Sequence, residues 1–172
     1  AQRPGDIVTF LNGKTAEIGS TDAEGRLILA DALSYARKEG ISPVIDLATL
    51  TGACMVALGD LYSGAFSNNK EFLDQVVKAG EKAGEKYWQL PLVEEYKEQI
   101  KSDCADMKNI GGRYGGAITA ALFLAEFIED TPWVHLDIAG PVRSDKDKGF
   151  LVKGATGIGV RTLVNLALED AR

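Results

Sequence analysis

Residues 117–128 read Ala-Ile-Thr-Ala-Ala-Leu-Phe-Leu-Ala-Glu-Phe-Ile. Wound as a helix, the segment is apolar almost all the way round, so other parts of the chain must wrap it. It follows a tight Gly-Gly-Arg-Tyr-Gly-Gly stretch, residues 111–116, and precedes the β-rich run Trp133–Ile138, which meets Gly140-Pro141. A second short apolar run, residues 43–48, also reads as a strand, and both runs are expected to be covered on two faces. Buried helix and covered strands together restrict the chain to layers of helix on sheet, an α/β architecture.

The remaining pattern agrees. Val8–Leu11 and Thr15–Ile18 flank Asn12-Gly13, a strong short hairpin signal. From Glu24 to Lys38, Leu27, Leu29, Ala30, Leu33 and Ala36 share one helical face, and Gly40 follows as a stop. Short helices are expected at Thr51–Leu58 and Leu92–Ile100, strands at Tyr62–Ser67 and Tyr87–Leu92, and a charge-laced helix at Glu71–Lys86. Gly-rich residues 154–159 open a last helix to Leu168. Residues 143–148 are the most polar stretch and read as a surface loop. There is no internal repeat and no low-complexity tract.

Composition limits the function classes. The 172 residues carry 45% hydrophobic and 26% charged residues, ordinary for a soluble globular domain with a sizeable core. A net charge of −6 argues against nucleic acid or an anionic membrane as a partner of this segment. No apolar run reaches the length of a membrane span, and no signal peptide opens the chain. Ala1 in place of Met suggests a fragment or a processed product. Two cysteines, Cys54 and Cys104, make no disulfide scaffold and read as reduced, partly buried thiols. The single histidine, His135, lies inside an apolar strand pattern and reads as a core residue; it rules out a multi-histidine zinc site within the chain.

The chemistry concentrates in Ser20-Thr21-Asp22-Ala23-Glu24-Gly25-Arg26-Leu27. Two carboxylates two residues apart, at a strand-to-helix junction, suit hard divalent cations, and a carboxylate can bridge two of them. A neighbouring guanidinium can hold an oxyanion. The same letters also spell a capping box, with Thr21 capping the helix and Glu24 reaching back to its amide, and Asp22 merely favouring the positive helix end. A cap folds back on the backbone, whereas a ligand points outward.

Asn12-Gly13-Lys14-Thr15, then Thr21 to Leu27 running into Leu29-Ala30-Asp31-Ala32-Leu33, resembles the signature of the leucyl (cytosol) aminopeptidases. The blocks Asp46 to Ala53, Gly111-Gly112-Arg113 to Leu124, and His135-Leu136-Asp137-Ile138-Ala139-Gly140 are similar to that family in the same order, so the resemblance spans nearly the whole chain. It implies an α/β catalytic domain with helices flanking a layered mixed sheet. It also implies a metal-dependent exopeptidase that releases N-terminal residues, apolar ones such as Leu preferred. On the matching positions, Asp22 and Glu24 are metal ligands, with Glu24 bridging two divalent ions (manganese, zinc or magnesium). Arg26 is the catalytic residue that holds a bicarbonate. Thr49, Leu50 and Gly52 form the wall that hydrogen-bonds the substrate. Thr49, Ala139 and Val142 shape the pocket for the first side chain. The family commonly has Asn where Ser20 stands. It takes a metal-binding lysine, two further aspartates and a catalytic lysine from sequence upstream of the stretch matching Arg3-Pro4-Gly5-Asp6. The resemblance therefore implies that residues 1–172 are the C-terminal portion of the catalytic domain, with the upstream part missing and the segment inactive alone. It further implies a cytoplasmic homo-hexamer acting on peptides. Some members also bind DNA, which leaves a second reading, a binding protein; the acidic balance weighs against contact through this segment. An inactive scaffold is the third.

Other motifs carry less. Gly111 to Gly116 lacks the Gly-Lys-Ser/Thr of a phosphate loop and reads as a tight turn. Gly154-x-x-Gly157-x-Gly159 is a weak nucleotide motif. Asp145 and Asp147 lack the later positions of a calcium loop. Cys104, beside Asp103 and Asp106, reads as structural.

Overall fold

Asn12-Gly13 turns the chain as its sequence requires. In the computed structural model, which describes residues 1–170, β1 (Ile7–Thr9) and β2 (Thr15–Glu17) pair antiparallel with Val8 opposite Ala16. Gly13 sits at φ +86°, where a Cβ is disfavoured. A third strand, β6 (Met107–Lys108), lies parallel to β2. Two residues are too few to show the alternation by which a strand is read from sequence.

The chain divides into two compact units, one of residues 1–44 and 91–133, the other of residues 45–90 and 134 onward. In the first, β1, β2 and β6 accompany α1 (Gly25–Lys38), a 3-10 helix (Glu94–Ile100) and α4 (Gly116–Ile128). α4 packs against α1 and the 3-10 helix, and Leu122, Phe123, Leu124, Phe127 and Ile128 are all fully buried, so the helix is covered as its composition demands. Phe10 meets the rings of Phe123 and Phe127 edge-on at 6.0 and 4.6 Å.

Glu126 is the charged position on α4, and it lies between Lys14 and Lys97, each at 2.5 Å. Burial alone would push its carboxyl up, but the bonds from Lys14 and then Lys97 bring it below the usual range. A depressed carboxyl contributes stability above its unfolded value of about 4.3 and loses it as pH falls through the folded value. The melting temperature is therefore expected to drop more steeply below about pH 4.3 for the unsubstituted protein than for Glu126→Gln. Parallel pH curves in thermal melts would contradict this.

The second unit is built on a four-stranded sheet in the order β3 (Val44–Ala48), β7 (Trp133–Asp137), β4 (Ser63–Ser67), β5 (Tyr87–Gln89). β4 runs antiparallel to β7 and parallel to β5, so the sheet is mixed. Around it lie α2 (Gly52–Leu58), α3 (Lys70–Ala83) and α5 (Val160–Asp170). Ala65, Val134, Leu136 and Tyr87 of the sheet pack with Phe72, Leu73, Val76 and Ala79 of α3 and Leu166 of α5. Central β7 is buried throughout, but β3 is only half-buried, against the expectation of cover on both faces, because it stands at the sheet edge. α3 stops at Ala83 instead of Lys86, because Gly84 takes the left-handed conformation at φ 72°. The polar stretch expected to be a loop instead contributes β8 (Arg143–Ser144), which pairs with β9 (Gly154–Ala155). Tertiary pairing decided that, not local propensity. Among the described residues no helix is long and apolar enough to cross a membrane.

The glycine-rich run before α5 binds the protein's own carboxylate. Buried Glu85 accepts hydrogen bonds from the amides of Gly159 and Thr162 at 3.1 and 3.0 Å and from the Thr162 hydroxyl at 2.5 Å. Arg161 adds an ion pair at 3.2 Å. Burial pushes the Tyr87 hydroxyl up, so it stays protonated and donates to Thr162 at 2.8 Å. A Cβ on Gly159 would fall 2.3 Å from Leu47, so this glycine serves close packing, and the helix end that a phosphate would need is filled.

Candidate metal centre and substrate wall

The loop between β2 and α1 carries Asp22 and Glu24, and one side chain ties it down. Asn109, wholly buried, accepts from the amides of Gly19 and Ser20 at 2.8 and 3.2 Å through Oδ1. Its Nδ2 donates to the carbonyls of Ser20 at 2.7 Å and Ala23 at 3.4 Å. Its backbone amide donates to Glu17 at 3.0 Å, and its carbonyl accepts from Arg26 Nη1 at 2.8 Å. A primary amide suits this role because it offers acceptor and donor together. Sequence reasoning missed Asn109; the available signal was an amide side chain just ahead of Gly111-Gly112. Ser20 contributes through its main chain, which Asn109 grips at both amide and carbonyl.

The capping box does not form. α1 begins at Gly25, its cap residue is Glu24 with helical backbone angles, and no side chain bonds the helix end. A box would require Thr21 at that position, so the helix starts three residues too late for it. Asp22 and Glu24 are both exposed, and among the described residues neither side chain has a hydrogen bond or ion pair. Arg26 is buried at 7% exposure, directed at the Asn109 carbonyl. Two uncommitted carboxylates are the donor chemistry that a hard divalent ion wants. They do not fill a coordination shell, and among the described residues no three His, Cys, Asp or Glu side chains gather to hold an ion. The donor set fits a divalent metal in kind and falls short in number.

Asp22, Glu24 and Arg26 belong to the first unit; Thr49, Leu50, Gly52, Ala139 and Val142 belong to the second. In the second unit Asp137, at the end of β7 and 1% exposed, gathers several of the expected substrate residues. Its Oδ1 accepts from the amides of Leu50 at 3.1 Å and Ala139 at 3.2 Å. Its Oδ2 accepts from the Thr51 hydroxyl at 2.7 Å. That hydroxyl accepts in turn from the Cys54 amide at 3.0 Å and so caps α2. Thr49 and Gly52 flank this group and are exposed. Ala139 and Val142 line an open depression of about 870 Å³ together with Met55, Pro141, Phe150 and Ile158; Thr49, Leu50 and Gly52 do not line it.

Two alternative nucleophiles are spent. His135 is fully buried, its Nδ1 lies 2.6 Å from Asp46, and Phe66 stacks on it, so it is the core histidine its strand pattern implies. Burial, and then the Asp137 charge, push the Cys54 thiol up to about 11. Cys104 is exposed, against the expectation of partial burial, because it lies in an irregular stretch, where its amide and thiol bond Ser102.

Residues 1–164 match the family described as cytosol aminopeptidase family, catalytic domain. A probable cytosol aminopeptidase of Solibacter usitatus is 60% identical over 98% of this chain and 35% of its own length. One from a Picosynechococcus strain is 60% identical over 97% of this chain and 34% of its own. Among solved structures, a tomato leucine aminopeptidase mutant superposes with a TM-score of 0.92 at 56% identity, over 98% of this chain and 32% of that one. The chain thus spans about a third of the length of the relatives it matches. Four sequence blocks in order and a superposable fold point the same way, and the chain belongs to the cytosol aminopeptidase family.

Proposed function

We propose that these residues form part of a metal-dependent aminopeptidase that releases the N-terminal residue of peptides, with Leu and other apolar residues preferred. The observation that carries this is the pair of exposed carboxylates, Asp22 and Glu24, unpartnered among the described residues, on a loop otherwise fixed by Asn109. A loop rigidly held while its charged side chains are left uncommitted is arranged for a ligand rather than for stability. Asp22 and Glu24 would hold two divalent ions (manganese, zinc or magnesium), with Glu24 bridging and further ligands coming from outside these 172 residues. When bound, such a pair supplies an anchor for the substrate's amino group, polarisation of the scissile carbonyl and a water acidic enough to react near neutral pH. Arg26 would hold a bicarbonate at the loop through its planar fork, placing a base to move the proton to the leaving amine. Leu50 and Gly52 would offer main-chain hydrogen bonds to the peptide, while Thr49, Ala139 and Val142 would face its first side chain. The working form would be a homo-hexamer, and a cytosolic location is in keeping with the names of the relatives.

The full-length protein carrying this segment is expected to hydrolyse a leucine amide, to lose activity to a chelator and to regain it with manganese or zinc. Arg26→Lys keeps the charge but loses the fork, so turnover is expected to fall about tenfold or more with little change in KM. Added bicarbonate is expected to stimulate the variant less than the unsubstituted enzyme. Chelator-resistant activity, or an equal bicarbonate response, would overturn the respective role.

A further inference from the structure

We propose that Asp137 is the positioning residue of the substrate wall, holding the Leu50 and Ala139 segments together and so setting how tightly and selectively the first side chain of a peptide is held. This rests on the reading above that Leu50 and Ala139 face substrate. The two segments are distant in sequence, and a single carboxylate bonds the amides of both, at 3.1 and 3.2 Å. The Thr51 hydroxyl makes a third bond at 2.7 Å and carries the constraint into α2 through the Cys54 amide at 3.0 Å. All the groups facing Asp137 donate, and only an ionised carboxylate accepts at both oxygens without needing an acceptor itself. Its 1% exposure keeps water from substituting for any of them.

Asparagine has the same shape but turns one acceptor into a donor. Toward Thr51 it would meet a hydroxyl that already accepts from Cys54 and would then lose the acceptor for its own proton. The wall would loosen while the candidate metal ligands, which lie on another loop, stay as they are. In the full-length protein, Asp137→Asn is expected to raise KM for leucine amide about tenfold, the size of a lost charge-assisted bond, with kcat within about twofold. The preference for leucine amide over alanine amide is expected to narrow, and metal content to stay unchanged. An unchanged KM and preference, or a fall in kcat at constant KM, would overturn the proposal. Should that variant fail to fold, Thr51→Val removes one bond of the group and is expected to raise KM about threefold in the same direction; no change would be equally fatal. Amide hydrogen exchange separates the two readings. If the unsubstituted protein hydrolyses neither substrate, the proposed activity falls, while exchange at Leu50 and Ala139 still reports on Asp137. It is expected to be at least about tenfold faster in Asp137→Asn, and unchanged exchange would count against the positioning role.

Discussion

Glu24→Ala, made in the full-length protein, is expected to lower hydrolysis of a leucine amide by ~1,000-fold or more, since a catalytic metal supplies several kcal/mol of transition-state stabilisation. The fold should survive. Glu24 is exposed, its side chain bonds nothing among the described residues, and it caps α1 through its backbone alone. On the proposed reading Glu24 would bridge two cations, and removing it would take away neutralising charge between them, so bound metal should fall with activity. Asp22→Ala is expected to act in the same direction. The measurement is metal content and kcat/KM together with a melting curve. A variant that kept its metal and its rate would leave the carboxylates as solvated loop residues. One that lost activity only by unfolding would point to a structural role instead.

The 172 residues assayed alone with manganese, zinc or magnesium are expected to give no measurable turnover. Two side-chain ligands cannot complete the shells of two ions, and no third carboxylate, cysteine or histidine joins them among the described residues. Addition in trans of the upstream segment of a cytosol aminopeptidase relative should restore activity if the remaining ligands come from there. Robust turnover by the isolated chain would show that the ligands have been assigned to the wrong residues. Recovery on complementation, lost again with Glu24→Ala, would tie the restored activity to this loop.

Much of the architecture was legible because it depends on local pattern. The almost wholly apolar Ala117–Ile128 could only be a wrapped helix, and Asn12-Gly13 could only be a turn between short strands. Where a neighbour made the decision, the pattern was silent or misleading. β6 is two residues long and exists because β2 runs beside it. β3 looked like a strand covered on both faces, yet its place at the sheet edge leaves it half-buried. The letters Thr21-x-x-Glu24 fitted a capping box, and only the start of α1 at Gly25 excluded one.

The sequence by itself determined the α/β class and the chemical character of the candidate site, because side-chain type and spacing suffice to present two carboxylates and a guanidinium at a strand-to-helix junction. It could not reveal Asn109 or Asp137. Each is a buried polar residue whose importance lies in satisfying polar groups far away in the chain, Asn109 for Gly19 to Arg26 and Asp137 for Leu50 and Thr51. Hydrogen bonds of that kind have no sequence period, and the requirement that buried donors and acceptors be paired appears only once the chain has folded.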